Sequence, residues 1–218
     1  MIKKLDCGFW VVEGDTHRTK WVEEKGSLNI DGLIDKICKL LSPGDVVVDV
    51  GANIGDHTYF YRQSVGEKGE VIAFEPDPEC FACCVLNCGT FKNMYQAAAT
   101  DHSAELGILI QPNRGQNFID INGKGVRGFP IDDLELKRCN LIKIDTEGSE
   151  EMVLRGARRT IERLKPLIVI ECIESQLVKF SSSVDRILKL IASQGYIIED
   201  IGSGGKNKLC RPLANRSK

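Results

Sequence analysis

Hydrophobic positions along the chain come in short runs that alternate with amphipathic stretches. Residues 46–50 form a near-continuous β-branched run, which is typical of a parallel strand buried on both faces. A helical period over 56–65, a strand at 70–74, a helix over 78–88 and a strand at 95–99 follow in turn. Alternation of this kind indicates stacked β-α-β units. The sequence therefore predicts a parallel sheet with right-handed crossovers.

The same alternation returns in the C-terminal third of the chain. Its predicted elements are, in order, a strand at 141–145, a helix at 149–164, a strand at 166–172, a helix at 184–194 and strands at 196–201 and 208–211. These elements extend the same predicted sheet, and the chain contains no internal repeat.

Two segments break the alternation. Residues 1–44 are predicted to form an N-terminal lead-in, with a short strand at 8–12 and a helix at 30–41, that packs on the core. Residues 102–130 consist of short alternating or glycine-rich pieces, which predict loops or hairpin strands laid over a sheet edge as a lid. We interpret residues 45–218 as the core, so that the whole chain is one domain.

Length and composition fit a globular α/β domain. The chain has 218 residues, of which 42% are hydrophobic and 28% are charged, close to the average for soluble domains. Lys and Arg number 29 against 31 Asp and Glu, which gives a net charge of −2. This balance, together with only 6% aromatic residues, disfavours a protein that coats duplex nucleic acid or stacks RNA bases.

Location is inferred from apolar runs and cysteines. No apolar run approaches the ~20 residues of a membrane span, and the N-terminus reaches Asp6 before any stretch of signal-peptide length. Nine cysteines without export features indicate reduced thiols, so we expect a cytoplasmic protein with no membrane span. Four cysteines share one short helix whose geometry cannot close them around zinc, and we expect them to be buried thiols: Cys80, Cys83, Cys84 and Cys88. The sequence leaves the oligomeric state open.

Ligands of an open parallel sheet bind beyond the carboxyl ends of its strands, so the residues there carry the candidate chemistry. The 46–50 strand ends in a turn with Gly51 and Gly55, where glycines permit close backbone approach and a helix N-terminus follows. Glu75 follows the next strand, about 20 residues past Gly55, at the spacing of a carboxylate that binds ribose hydroxyls. The pair predicts a nucleotide-like ligand.

The identity of that ligand depends on the glycine pattern. The turn reads G-x-x-x-G and lacks the third glycine of the dinucleotide fingerprint G-x-G-x-x-G. Asp49 would repel a pyrophosphate but suits the ammonium and sulfonium groups of S-adenosylmethionine. We therefore favour the methyl donor over NAD. Two other functions stay open: a nicotinamide-dependent oxidoreductase that uses the same pocket, and a nucleotide-binding module without catalysis.

Four ordered blocks of the sequence carry a family resemblance: VVVDVGANIGDHT (46–58), AFEPDPE (73–79), LIKIDTEGSEEMVLRGA (141–157) and KPLIVIE (165–171). Together they resemble the FkbM family of S-adenosylmethionine-dependent O-methyltransferases. The resemblance implies an α/β, Rossmann-like methyltransferase fold with a mostly parallel seven-stranded sheet and helices on both faces. It also implies S-adenosylmethionine as cofactor and hydroxyl acceptors on sugars, glycolipids or polyketides.

The resemblance also assigns site residues position by position. The positions that match the cofactor pocket are Asp49, Gly51, Asn53, Gly55 and Glu75. We add two residues at neighbouring strand ends, Pro76 and Ala98, to this cofactor set. Asp145, Glu147 and Gly148 match the family's D-x-E-G block, in which Thr146 stands where a small aliphatic residue is common.

Methyl transfer to an alcohol needs alignment of the two reactants and a base for the hydroxyl proton. Asp145, Glu147 and Glu171 lie at or just past the ends of predicted strands, and no adjacent run of Lys or Arg accounts for the first two as surface ion pairs. We therefore name these three as catalytic candidates, with helix capping as the alternative for Asp145 and Glu147. His57, in the loop that opens the first core helix, is a competing base or a contact for the cofactor's carboxylate, with a plain helix-start residue as the remaining alternative.

Metal and acceptor chemistry are the least specified. Asp145 and Glu171 could bind magnesium if they converge, but no adjacent acid pair follows the fifth strand, so we predict no metal. In the lid, Gln116 and Asn117 offer amides suited to sugar hydroxyls, although a plain surface loop is the alternative. We expect a neutral sugar acceptor, such as a deoxyhexose in a glycan, that enters over residues 111–129.

Overall fold

Strands and helices alternate along most of the chain in the computed structural model, which describes residues 1–29 and 32–213. The strands are β1 (Ile2–Lys4), β2 (Trp10–Val12), β3 (Val46–Val50), β4 (Glu70–Phe74), β5 (Met94–Tyr95), β6 (Ala98–Ala99), β7 (Ala104–Leu109), β8 (Phe118–Asp120), β9 (Val126–Phe129), β10 (Leu141–Ile144), β11 (Leu167–Glu171), β12 (Tyr196–Ile201) and β13 (Asn207–Pro212). The α-helices are α1 (Arg18–Lys25), α2 (Gly32–Cys38), α3 (Asp56–Val65), α4 (Pro78–Cys88), α5 (Glu150–Gly156), α6 (Arg158–Leu164), α7 (Glu174–Leu177) and α8 (Val184–Ser193).

The central sheet is mostly parallel. Within the described residues it has seven strands in the order β12-β13-β11-β10-β3-β4-β5. The five strands from β11 to β5 run parallel, whereas β13 is antiparallel to both β11 and β12. A short connection joins β12 to β13, so the chain returns in the opposite direction. The predicted seven-stranded α/β sheet is confirmed, with one edge mixed rather than parallel.

Successive residues of the central strands enter two hydrophobic layers. Val46, Val48 and Val50 of β3 pack in the layer that contains residues of α5, α6 and α8. Val47 packs in the opposite layer with residues of α2 and α3. Because helices cover both faces, the strand is apolar at almost every position. Asp49 is the exception in this run, and alternation places it on the α3 side.

Three strands of the lid form a second sheet together with β6, whereas the sequence predicted only loops or hairpin strands in the lid. Its strands lie in the order β6-β9-β7-β8 in the described part of the chain, and β7 is antiparallel to both β8 and β9. Two glycines let the lid pack tightly, since a Cβ on Gly107 would lie 2.9 Å from Gly123 Cα. The strand predicted at 95–99 is split into two strands, because β5 pairs with β4 in the central sheet whereas β6 pairs with β9 of the lid.

The helix predicted at 149–164 is also two helices. Asp132 places its carboxylate at the start of α6, where Oδ2 accepts a hydrogen bond from Arg159 N at 2.8 Å and Oδ1 accepts one from Thr160 N at 2.8 Å. This cap satisfies the first amides of α6 and so begins a new helix after Ala157. The capping residue lies outside the segment, so a local periodicity could not reveal the break.

The lead-in packs against α4. Trp10 N donates to Asn87 Oδ1 at 2.7 Å, and Asn87 Nδ2 donates back to Trp10 O at 2.8 Å. Cys80 and Cys83 are fully buried in the hydrophobic cluster of this contact. Cys84 is fully buried as well, whereas Cys88 is half-buried. The expected burial of these thiols is therefore confirmed for three of the four.

The remaining lead-in elements differ from prediction at their ends. The helix predicted over 30–41 is observed as α2, Gly32–Cys38, and its predicted first residue, Ile30, lies outside the described residues. The β1–β2 hairpin and α1 precede it. In the described ranges no helix combines the length and the apolar character that crossing a membrane requires.

Candidate active site

A cavity lies at the carboxyl ends of β3, β4 and β10, between the central sheet and the lid, and encloses about 670 Å³ of empty space when its opening to solvent is included. Its lining includes many residues predicted from sequence, namely Gly51, Asn53, His57, Glu75, Pro76, Ala98, Asn117, Asp145 and Glu147. Other predicted site residues lie outside the lining: Asp49, Gly55, Gln116 and Glu171. Three further lining residues that bear on function are not predicted from the sequence, namely Arg18, Phe118 and Lys143.

The turn after β3 depends on two glycines. Gly51 has φ +83°, and a Cβ there would lie 1.8 Å from the carbonyl oxygen of Asp145. Gly55 has φ +88°, and its Cβ would lie 2.7 Å from Cys88 Sγ on α4. Gly51 therefore lets the turn approach β10, whereas Gly55 shapes the turn from the α4 side without lining the cavity.

We expect Gly51→Ala to lower the free energy of unfolding by about 2–3 kcal/mol or more, because a left-handed backbone and a collision with main chain add together. Gly66→Ala is the matched control: Gly66 also has a positive φ of +63°, but nothing lies within 4 Å of its Cβ position. This control should lose only about 1–2 kcal/mol. Urea unfolding of both variants makes the measurement, and equal losses would contradict a tight contact at Gly51.

Glu75 is a buried carboxylate held by main-chain amides. Its Oε2 accepts a hydrogen bond from Asn53 N at 2.7 Å, and its Oε1 accepts one from Asp77 N at 2.8 Å. Burial raises the pKa of Glu75 to about 8, although the two amides act to lower it. A carboxylate has about four lone-pair positions, so both oxygens can accept further hydrogen bonds from a pair of ribose hydroxyls. The geometry thus suits the predicted ribose contact.

Lys143 lies buried between two aspartates of neighbouring strands. Its Nζ is 3.7 Å from Asp49 Oδ1 and 3.4 Å from Asp145 Oδ2, and it donates to the carbonyl of Gly51 at 3.3 Å. Burial lowers the pKa of Lys143, but the Asp145 and Asp49 carboxylates outweigh this effect and raise the pKa above its ordinary value. Lys143 is therefore a permanent cation that joins β3, β10 and the glycine turn.

Asp49 is engaged beneath the turn. Its side chain is fully buried, and Thr58 Oγ1 donates to its Oδ2 at 2.6 Å. Asp49 does not line the cavity, and its contact with the cofactor's ammonium group stays a prediction. The signal for Lys143 was present in the sequence: it precedes Asp145 by two residues in an otherwise apolar strand, so alternation places both on one face.

Three carboxylates converge where β10 and β11 end. One oxygen from each of Asp145, Glu147 and Glu171 lies within 4.8 Å of the other two. Burial and the nearby Asp145 carboxylate raise the pKa of Glu147 to about 8 and that of Glu171 to about 9. Gln176 Nε2 donates a hydrogen bond to Glu147 Oε2 and orients that carboxylate. A carboxylate with a pKa near neutral pH is suited to proton transfer.

The same three carboxylates bear on the metal alternative. Oxygen ligands of this kind are those that magnesium prefers, so the convergence on which that alternative depends is present. The Lys143 ammonium group already places one positive charge 3.4 Å from Asp145. The absence of a metal stays a prediction, which a magnesium-dependence measurement tests.

Helix capping does not account for Asp145 and Glu147. Glu150, the first residue of α5, accepts hydrogen bonds at its Oε1 from two amides of the preceding loop, Thr146 N at 3.0 Å and Gly148 N at 3.1 Å. Among the described residues, neither Asp145 nor Glu147 caps the helix. Glu147 has a left-handed backbone with φ +60°, a strained conformation for a non-glycine residue that is concentrated at functional sites. The loop therefore holds Glu147 towards the cavity rather than towards the helix.

His57 lies inside the first turn of α3, not in the loop before it. Its ring is buried, and Nδ1 is 2.8 Å from the hydroxyl oxygen of Tyr61. Burial, reinforced by the Lys143 and Arg18 cations, holds the pKa of His57 well below its ordinary value. A neutral imidazole with so low a pKa binds a proton weakly, so the carboxylates are the stronger candidates for the base.

The lid is tied to the turn between β4 and α4. Arg114 reaches Asp77 Oδ2 at 3.0 Å and Glu79 Oε2 at 2.8 Å, and Asn117 Nδ2 donates to Asp77 Oδ2 at 2.6 Å. Gln116 is exposed and lies outside the cavity lining. The Asn117 amide group holds the lid in place, and the contact of Gln116 and Asn117 with the acceptor stays a prediction.

The lining fits S-adenosylmethionine. Phe74, Pro76 and Ala98 provide apolar surface beside Glu75 for an adenosine group. The Gly51 turn lets the ligand approach the backbone closely, which a side chain at that position would prevent.

Comparison with known proteins agrees with this geometry. Residues 49–198 match the family model of the methyltransferase FkbM domain. The chain is 27% identical over 136 residues to the hexuronic acid methyltransferase AglP of Haloferax volcanii, with 57% of this chain and 55% of that protein covered. It is 24% identical over 181 residues to the 2-O-methyltransferase NoeI of Sinorhizobium fredii, with 71% and 74% covered. The chain thus spans about half the length of the first relative and about three quarters of the second.

Solved structures support the fold. The structure of methyltransferase FkbM from Methylobacillus flagellatus aligns with a TM-score of 0.52 at 17% sequence identity, covering 92% of this chain and 55% of that one. Such a likeness indicates a shared Rossmann-like fold. The family match covers more than half of the chain, and the site residues fit the methyl donor. The chain therefore belongs to the FkbM family of S-adenosylmethionine-dependent methyltransferases.

Proposed function

We propose that the protein is an O-methyltransferase that transfers the methyl group to a sugar hydroxyl in a glycan. The observation that carries this proposal is the pair Asp145 and Glu147, which lines the cavity at the end of β10. The pKa of Glu147, raised to about 8, suits a group that accepts a hydroxyl proton. The names of the two relatives, a hexuronic acid methyltransferase and a 2-O-methyltransferase, support a sugar hydroxyl as the acceptor.

The chain's residues divide the work between cofactor and acceptor. When bound, S-adenosylmethionine supplies an electrophilic methyl group on its sulfonium. Glu75 and the Gly51 turn hold the cofactor, and Glu147 takes the proton from the acceptor hydroxyl while Asp145 orients that hydroxyl. Removal of the proton by a positioned base contributes about 10²–10⁴-fold to the rate. Glu171 adjoins the pair without lining the cavity, so we assign it to electrostatic tuning.

The acceptor approaches over the lid. Phe118 of β8 lines the cavity on that side and forms an edge-to-face contact with Phe180 at 6.4 Å between ring centroids. We expect a neutral sugar such as a deoxyhexose, entering over residues 111–129. A hexuronic acid is the alternative that the Haloferax relative favours. The net charge of −2 disfavours nucleic acid.

Transfer of an isotopically labelled methyl group from S-adenosylmethionine tests this function. The purified protein is offered deoxyhexose glycosides, hexuronic acid glycosides, RNA and protein in parallel. We expect the label in a sugar fraction, with the deoxyhexose glycosides labelled fastest. Label in RNA or protein, with none in any sugar, would refute the proposal.

Glu75→Gln is expected to weaken S-adenosylhomocysteine binding by about 1.5–3 kcal/mol, the usual worth of a hydrogen bond to a charged group. Glutamine retains one carbonyl oxygen for a main-chain amide, so it is preferable to alanine, which would leave the Asn53 and Asp77 amides without this acceptor. Calorimetric titration measures the affinity, and Glu105→Gln, an exposed substitution on the lid, is the control. Wild-type affinity in Glu75→Gln would remove Glu75 from the cofactor site.

The pH dependence follows from the Glu147 carboxylate. A base works only when deprotonated, so kcat/KM for the acceptor should rise tenfold per pH unit and level off at or below about pH 8. The sulfonium charge of the bound cofactor favours the carboxylate form of Glu147, so it moves the rising limb of this pH profile to lower pH. Initial rates measured between about pH 5.5 and about pH 9.5 test this expectation. Retention of the same limb in Glu147→Gln would assign it to another group.

A further inference from the structure

We propose that Arg18 binds the carboxylate of the S-adenosylmethionine amino-acid group, so that the N-terminal lead-in helps to position the cofactor. Arg18 is the first residue of α1 and lines the cavity although it lies far from the central strands in sequence. The inference concerns the cofactor alone and is independent of the identity of the acceptor.

The cavity has two chemically different regions. Beside the end of β4, apolar Phe74 and Pro76 flank the Glu75 carboxylate, which suits the adenosine group. Beside the turn after β3 and the start of α3, the lining contains Asp56 and His57. The amino-acid end of the cofactor belongs in this second region, where it must find partners for an ammonium group and for a carboxylate.

The acidic residues near the turn suit the ammonium group but repel the carboxylate. Three cations line the cavity in the described ranges: Arg18, Lys143 and Arg114. Arg114 is held by two carboxylates next to α4. Lys143 lies between two aspartates and donates to the turn itself. Arg18 is the cation beside Asp56 at the start of α3, in the region assigned to the cofactor's carboxylate.

The geometry of Arg18 fits this role. Its Nη1 lies 3.0 Å from Asp56 Oδ2, and the two side chains are only 20% and 4% exposed. The guanidinium group packs against the lid, since a Cβ on Gly115 would lie 3.2 Å from Arg18 Nε. A guanidinium carries five N–H donors in a planar fork, so Asp56 can fix one edge while the fork also serves a second carboxylate. In so sheltered a position, a charge-assisted pair is stronger than on the surface.

Calorimetric titration with two ligands isolates the carboxylate contact. One ligand is S-adenosylmethionine, and the other is decarboxylated S-adenosylmethionine, which keeps the sulfonium and the amino group. We expect Arg18→Gln to weaken S-adenosylmethionine about 10- to 100-fold. The affinity for the decarboxylated ligand should change by no more than about threefold, because that ligand has no carboxylate to lose.

Two further variants separate binding from folding. Lys20→Gln removes an exposed cation from the same helix and should leave both affinities unchanged. Arg18→Gln combined with Asp56→Asn removes both members of the pair, so it avoids an unpaired buried carboxylate and should show the same ligand selectivity as Arg18→Gln. Equal weakening of both ligands would assign Arg18 a merely structural role. Unchanged binding of S-adenosylmethionine would also overturn the proposal, without touching the family assignment.

Discussion

Glu147→Gln is expected to lower turnover by about 10²-fold or more while leaving cofactor affinity and fold intact. The amide keeps the shape of the side chain but cannot accept the hydroxyl proton. Asp145→Asn should lower turnover by a similar factor, with an additional loss of stability because Asp145 is paired with Lys143 at 3.4 Å. Steady-state kinetics with the acceptor found in the labelling screen measures turnover. Calorimetric titration with the cofactor measures its affinity separately.

The control for these variants is Glu162→Gln on α6. Glu162 forms an exposed ion pair with Arg158 at 2.8 Å and lies outside the cavity lining, so turnover should remain at the wild-type level. Near-full turnover in both Asp145→Asn and Glu147→Gln, with loss in His57→Ala, would make the histidine the base. Turnover that depends on added magnesium and is abolished by a chelator would favour the metal alternative for these carboxylates.

Lys143→Met is expected to destabilise the protein by about 3–5 kcal/mol, because it leaves buried carboxylates without their cation. Asp49 is fully buried and Lys143 is almost fully buried, so water cannot replace the lost charge. The variant also loses the hydrogen bond to the carbonyl of Gly51, so cofactor affinity should fall with stability. Urea unfolding monitored by circular dichroism measures the first effect.

Two comparisons sharpen this test. Lys189→Met removes an exposed i,i+4 partner of Asp185 and should leave stability almost unchanged. Lys143→Met combined with Asp49→Asn should recover part of the loss, because the most deeply buried carboxylate is then neutral. A loss in Lys143→Met no larger than in Lys189→Met would contradict a stabilising role for the buried cation.

The central sheet was predictable because its signal is local. The β-branched run of β3 and the strand–helix alternation that follows are written in consecutive residues, and their boundaries agree closely with the structure. The lid sheet was not predictable in the same way, since β6 pairs with β9 and leaves β5 only through contacts far along the chain. The break between α5 and α6 likewise depends on a distant cap from Asp132.

The same distinction applies to the site. Gly51 and Glu75 follow strands, and their roles depend on turn geometry that the sequence indicates directly. The pairing of Lys143 with Asp49 depends on the register of β3 against β10, and the position of Arg18 depends on how the lead-in packs. The hydrogen bond from the Asn117 amide to Asp77 depends on the fold of the lid, which brings these two side chains together.

The chemical linkage of the transferred methyl group tests the central claim most directly. The protein is incubated with ¹³C-methyl S-adenosylmethionine and the best acceptor, and the product is analysed by mass spectrometry and by heteronuclear NMR correlation of the labelled methyl group. We predict a methyl ether on a carbon of the sugar ring, formed by wild-type protein and nearly absent with Glu147→Gln. A methyl ester on a sugar carboxylate, or a methyl group on nitrogen or carbon, would contradict it.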